Sequence, residues 1–377
     1  MSKNIKSVFT SFFSELSGVV GSEKTLHALY YHHLLKGGFK PSQIAREYRL
    51  GKSPVDIVLF DSKAKGNFRE ESSLVRTAIE FKGGAYGNRN ALYDTISVAG
   101  YCSDLDKLRP FRADGLECWF VCVDLAELGI SLNQKSREQV ATQCKKYGVN
   151  FAYYCTGEDK GMILGNDGKI EYVKVLPSKD QNQSAASTIT LASTKQSLSH
   201  FKNNAHGIVG SEDDYTALLY ESFRQSGFSE RQLSLETYFS FATSPGSRMQ
   251  WRPDITVFDP GVEGHFNLYR NGDKGHSNDE HKLKHLLALI EVKGCHSFSN
   301  KSDKSITKIY LEDIDKLARW RVAIDKANNK LSVSSRHKPN YVFIGVELRK
   351  TCLSAEAKKA IQDVAKSKGV DFHYIVI

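Results

Sequence analysis

The sequence predicts an α/β protein made of two tandem copies of one domain, each a mixed central sheet flanked by helices. Three observations carry this expectation. GVVGSEKTLHALYYHHLLKGGF, from Gly18 to Phe39, aligns without gaps to GIVGSEDDYTALLYESFRQSGF, from Gly207 to Phe228. Both copies then run through one order of segments: helix, three strands, helix, strand, helix, strand. The chain has 377 residues, which suits two domains that each bury a core of their own. Two copies are too few for a solenoid, so tandem domains are expected.

Residues 1–17 open with Val8, Phe9, Phe12, Phe13 and Leu16 at helical spacing, which predicts a short amphipathic helix lying on the first domain. The first copy spans 18–176. Ser22, like Ser211 in the second copy, stands where it can cap a helix, with an acidic residue in the first turn. Leu26, Leu29, Tyr30 and Leu34 continue the helical spacing until Gly37-Gly38 stops it, as Gly227 does in the second copy. A variable strand follows, then SPVDIVLFD and TAIEFKGG, matched later by WRPDITVFD and ALIEVKGC. These segments are rich in Val, Ile and Phe, as buried strands are. Next come a helix carrying SDLDKL or LEDIDKL, the strand LECWFVCVDL or NYVFIGVEL, and a last helix and strand ending YGVNFAYY or KGVDFHYIVI.

The copies differ in their connections. The first gains a C-terminal hairpin, turning at Asn166-Asp167-Gly168. The second carries a polar insertion from Pro260 to His285, expected as a solvated loop, whose His265, His276, His281 and His285 are a weak metal signal. Residues 177–206 are rich in Ser, Gln and Asn and read as the linker, with order of part of it against one domain as the alternative, and the second copy at 207–377.

The chemistry is concentrated in one repeated constellation. Asp56 precedes Glu80 and Lys82 in the first copy, and Asp254 precedes Glu291 and Lys293 in the second. An Asp on one strand and a Glu on its neighbour offer hard oxygen ligands to Mg²⁺, with Mn²⁺ as a substitute. The carbonyls of Phe81 and Val292 can add a third ligand. Two residues beyond a strand Glu, a Lys points to the same face and can orient a water or neutralise charge on phosphorus. The alternative is a pair of exposed strand salt bridges, which must explain why polar groups end apolar strands twice. Glu47 and Glu236 also correspond, each before the motif, and read as structural or supporting groups. His32-His33 has no counterpart in the second copy.

These residues resemble the motif of the PD-(D/E)XK nuclease superfamily, whose core is restriction-endonuclease-like. The match is Pro253-Asp254 with Glu291-Val292-Lys293, and Val55-Asp56 with Glu80-Phe81-Lys82, where Pro54 is displaced by one position. The resemblance implies two tandem restriction-endonuclease-like domains. It makes Asp56, Asp254, Glu80 and Glu291 metal ligands and Lys82 and Lys293 the catalytic lysines. Glu23 and Glu212 match a further acidic position on the first core helix. It also implies Mg²⁺-dependent endodeoxyribonuclease activity with two sites in one chain, in restriction, phage defence or mobile-element conflict. A non-catalytic nucleic-acid-binding protein of the same fold, or an RNase, is the alternative.

Composition agrees with such a partner and excludes others. The net charge is +9 and the pI about 9.0, which favours a polyanion, double-stranded DNA first. Lys107 and Lys316, on the helix after the motif, and Arg248 and Arg252, before the second Asp, are the candidate phosphate contacts, with plain surface charge the equal alternative for the lysines; Trp251 is a candidate stacking residue or a core residue. No apolar run approaches bilayer length. Seven cysteines without a Cys-x-x-Cys pair argue against a disulfide framework or zinc site and for a reducing cytoplasm, with Cys118 and Cys122 as core residues. No Gly-x-x-x-x-Gly-Lys loop occurs, so any energy-driven partner is another chain. With two sites per chain a monomer suffices, and a homo-oligomer remains compatible.

Overall fold

The computed structural model describes residues 5–51, 53–84, 96–129, 131–165, 167–176, 191–244, 247–266, 276–294, 302–331, 338–348 and 352–377. The chain divides into two compact units between residues 187 and 188, each an α/β lobe around one mixed sheet.

In the first lobe α1 (Ile5–Glu15) lies on α2 (Glu23–Lys36). Its apolar face is buried: Phe9 and Phe12 pack on Tyr30, and Phe13 stacks on Tyr154. Ser22 caps α2 by accepting from the Thr25 amide. The sheet runs β1 (Ile44–Leu50), β2 (Ser53–Phe60), β3 (Val75–Gly83), β4 (Glu117–Asp124), β5 (Asn150–Cys155), β6 (Lys160–Leu164) and β7 (Ile170–Lys174), in that spatial order. β1 to β3 are antiparallel and β3 to β5 parallel. Parallel neighbours need crossovers, which are α3 (Val98–Ala113) and α4 (Gln134–Lys146). The hairpin expected at Asp167-Gly168 is β6–β7. Cys118 and Cys122 are buried in β4.

The second lobe repeats the plan. α5 (Leu191–Ala205) and α6 (Glu212–Gln225) precede β8 (Leu233–Leu235), then β11 (Ile255–Phe258), β12 (Leu286–Lys293), α8 (Asp303–Leu331), β13 (Asn340–Glu347), α9 (Ala355–Lys368) and β14 (Asp371–Val376). Its sheet order is β14-β13-β12-β11-β8. Ser211 caps α6 and Asp214 completes a capping box. The first lobe's β6–β7 hairpin has no equivalent in this sheet.

Register is reproduced residue for residue. Ile57 pairs with Ile79 and Ile255 with Ile290, the positions just after each Asp and just before each Glu. Both ladders slip at the same place, between Leu59 and Phe60 and between Val257 and Phe258. Such a shared bulge is a designed feature of a strand rather than a defect.

Three expectations are made specific. Of the span read as linker, residues 191–205 are the ordered part: they form α5, which packs on α6 with Phe201 and Ala205 buried. At the offset of the aligned segments, Phe201 stands where Phe12 does and Leu198 where Phe9 does. α5 is thus the second lobe's α1, and its polar composition hid a narrow apolar stripe. The insertion read as a loop holds α7 (His276–His285). There His285 Nδ1 lies 2.7 Å from Asp259 and His281 packs on His285, so these two rings serve packing and capping. Finally β9 (Phe239–Ser244) and β10 (Ser247–Trp251) form a separate hairpin. Trp251 is buried and stacked on Trp320, not offered to a base.

Among the described residues no helix is long and apolar enough to cross a membrane.

Candidate functional site

The pairing of Ile57 with Ile79 sets Asp56 opposite Glu80, and residues opposite one another share a sheet face. Beyond that pair the strands part, and Asp56 Oδ2 accepts from the freed Phe81 amide at 2.7 Å. In the second lobe Asp254 Oδ2 accepts from the Val292 amide, also at 2.7 Å. The contribution of Phe81 and Val292 seen here is thus an N–H that orients the Asp. The unmade ladder bond is replaced by a charge-assisted one.

Glu80 and Glu291 are each 2% exposed. Lys107 Nζ reaches Glu80 Oε1 at 2.5 Å and Asp104 Oδ1 at 3.0 Å, while Lys82 Nζ lies 2.6 Å from Asp104 Oδ2. Correspondingly Lys316 Nζ lies 2.9 Å from Glu291 Oε1 as an ion pair, and Lys293 contacts Glu212 at 3.1 Å and Asp313 at 3.8 Å. Lys107 and Lys316, expected at phosphate, therefore sit on the motif glutamates. Arg252 lies over the Tyr238 ring; Arg248 is on β10, with its side chain outside the described residues.

Glu23 enters from the N-terminus of α2, where its Oε2 accepts from the Gly83 amide at 3.1 Å. Close approach is possible because Gly84 follows: a Cβ there would lie 2.6 Å from the Glu23 nitrogen, and its φ of +82° favours glycine. At the other end of the motif, Glu47 and Glu236 stand opposite Asp56 and Asp254, and both have a φ of 47°. A positive φ repeated at a bulky residue is strain that the surrounding fold over-determines.

Two features lay outside the sequence reading. Asp104 and Asp313 link each catalytic-candidate lysine to the helix after it; the shared pattern Tyr-x-x-Asp-x-Asp-Lys-Leu, at Tyr101 and Tyr310, was the available signal. The helix is braced alike in both lobes. Tyr101 and Tyr153 donate to Asp124, which also accepts from the Leu132 amide. Tyr310 and Tyr374 donate to Glu347, which accepts from the Leu353 amide. The second feature is His27, 1% exposed, whose ring nitrogens have no hydrogen-bond partner among the described residues. Its Nε2 is 3.8 Å from Asp56 Oδ2. One donor atom each from His27, Glu47 and Asp56 lie within 4.8 Å of one another. By contrast His33 contacts Ser11 and Glu15, joining α2 to α1.

Burial and mutual repulsion shift the carboxylates of the cluster upward. Burial, then the neighbouring Asp56, pushes Glu80 and Glu23 each up to about 8. Burial lifts Asp56 to about 6 and Glu291 to about 7, and raises Asp254 and Glu212. Burial, with Arg46 and Lys24 nearby, holds His27 neutral. Carboxylates gathered where each disfavours the charge of the next are relieved by a divalent ion. Glu80 Oε2 is buried with no hydrogen-bond partner among the described residues, and hard oxygens dominate the set. The residues fit such an ion. Comparison of the chain with protein-family models, curated proteins and solved structures finds no match.

Proposed function

We propose that this chain is a metal-dependent endonuclease that hydrolyses phosphodiester bonds in double-stranded DNA, with one active site in each lobe and a restriction-endonuclease-like core around it. One observation carries the reading. Glu23, Asp56, Glu80, Lys82, Asp104 and Lys107 gather around the C-terminal part of β3, and Glu212, Asp254, Glu291, Lys293, Asp313 and Lys316 do so again around β12 through the same register and bulge. Surface salt bridges have no reason to be buried twice in one arrangement.

Asp56, Glu80 and Glu23, and Asp254, Glu291 and Glu212, are the carboxylates that would surround the divalent ion of each lobe. When bound, the ion supplies charge stabilisation at phosphorus and a coordinated water of lowered pKa. The chain's own groups do the rest. The Phe81 and Val292 amides fix the Asp rotamers. Lys82 and Lys293, held beside Asp104 and Asp313, orient the attacking water and offset charge on the phosphate. Lys107 and Lys316 neutralise the motif Glu and are within reach of an incoming phosphate. The basic net charge supports attraction of the polyanion.

Cleavage of supercoiled plasmid, linear duplex, single-stranded DNA and RNA, with Mg²⁺, Mn²⁺ or EDTA, tests the reading. Duplex cutting that EDTA abolishes is expected. Glu80→Ala and Glu291→Ala proteins are each expected to nick the plasmid, one strand per surviving site, with the cut strand lost falling at least 100-fold in rate. No cleavage of any substrate under metal sinks the proposal and leaves a nucleic-acid-binding protein; cleavage of RNA alone moves the substrate class.

A further inference from the structure

The two lobes match at the motif but differ beside it, and the differences share one electrostatic sense. At the aligned positions the first lobe has Lys24, His27 and Arg46 where the second has Asp213, Thr216 and Leu235. At these and the shared positions the first lobe has five carboxylates and four cations: Glu23, Glu47, Asp56, Glu80 and Asp104 with Lys24, Arg46, Lys82 and Lys107. The matched positions of the second hold six carboxylates, with Asp213 added, and two lysines. Lys24 is ion-paired to Glu47, and Arg46 is fully buried beside His27. Relative to the second lobe, the first carries less negative charge at these positions and one imidazole more.

Mg²⁺ binds through charge and oxygen, holds its waters tightly and accepts nitrogen poorly; later divalent ions accept imidazole readily. We infer that the two lobes hold different ions: the second a Mg²⁺ bound by carboxylates, the first a first-row transition ion bound through His27 Nε2, Glu47 and Asp56. This rests on the metal-dependent reading of the same sites and goes beyond it in assigning the metal of each. Geometry supports it. Two donors on one tetrahedral ion at bonds of about 2.1 Å lie about 3.4 Å apart, and His27 Nε2 is already 3.8 Å from Asp56 Oδ2. A buried imidazole with neither nitrogen hydrogen-bonded among the described residues costs stability as it stands. A ligated ion removes that cost. Glu47 exchanges its lysine for the ion, and its φ of 47°, like that of Glu236, sets it beside Asp56.

Mn²⁺ alone, without nucleic acid, is the probe. Titration followed by electron paramagnetic resonance, with Mg²⁺ in excess, is expected to leave one occupied Mn²⁺ site per chain. Pulsed measurements on the unaltered protein are expected to give ¹⁴N modulation from a coordinated imidazole. His27→Thr, which installs the second lobe's residue, is expected to weaken that site on the order of 100-fold, since even supporting groups around a metal are worth 10- to 100-fold. Glu291→Gln is expected to leave it unchanged. Mn²⁺ ligated by oxygen alone in the unaltered protein, or two sites equally displaced by Mg²⁺, overturns the inference whether or not any variant folds. The outcomes separate from the nuclease reading. Mn²⁺ held by His27 in a protein that cuts nothing sinks the hydrolase and keeps this assignment; cutting with no nitrogen on Mn²⁺ does the reverse.

Discussion

Asp104 and Asp106 lie two residues apart on α3, yet their surroundings differ completely. Asp104 bridges Lys82 and Lys107, and both lysines pull its carboxyl below the usual range against the opposing effect of burial. Asp106 is exposed and pairs with Arg109 across one helical turn. If Asp104 positions the lysine beside the reacting phosphate, Asp104→Asn keeps the shape and loses the hold. The expected result is a 10- to 100-fold fall in kcat of the first site with KM nearly constant, because small misplacements at the reacting centre cost that much. Asp104→Glu is expected to recover part of the loss. Asp106→Asn is expected to change rate less than about twofold and stability by less than about 0.5 kcal/mol. Strand-specific nicking assays on both variants, with thermal melts, decide the matter. Equal effects of the two substitutions would remove Asp104 from the site.

Among the elements, α5 teaches most. Its sequence, LASTKQSLSHFKNNA, has few apolar residues, yet Phe201 is fully buried where α5 meets α6, and Asn204 contacts Ser222 and Gln225. Phe201→Ala is therefore expected to destabilise the second lobe by about 3–5 kcal/mol, the cost of emptying a core aromatic site. Denaturant unfolding measures it. A change under about 0.5 kcal/mol would mean that α5 is a tether after all. The strands are the opposite case. Their alternation and their Val, Ile and Phe content made β2, β3, β11 and β12 legible, along with the Asp and Glu that end them. The bulges and the positive φ of Glu47 and Glu236 were not legible, because they answer to cross-strand neighbours rather than to local propensity.

For the whole molecule, burying several carboxylates together ties stability to pH. Glu23 and Glu80, near 4.5 when unfolded, rise to about 8 in the fold, and Asp56 rises to about 6. A raised folded value means that the protonated form is preferred, so this stability is full below about pH 4.5. It is lost as pH climbs through 6 to 8. In EDTA the melting temperature is expected to fall across that window. Mg²⁺ or Mn²⁺, which requires the deprotonated groups, is expected to raise it at pH 8 and to have little effect at pH 5. Calorimetry at both pH values tests this; a cation effect larger at pH 5 than at pH 8 contradicts the site.

Read alone, the chain determined its duplication, its α/β class, the order of its elements and the acids and lysines of its motif, because periodicity and matching segments are written in consecutive residues. Only the tertiary structure decided that Lys107 and Lys316 rest on the motif glutamates, that Asp104 and Asp313 join the cluster, and that His27 lies beside Asp56 in one lobe only. Those relations run between strands and crossover helices far apart in sequence. They depend on which face each helix turns to the sheet and on where a register slips, and neither is encoded within any single segment.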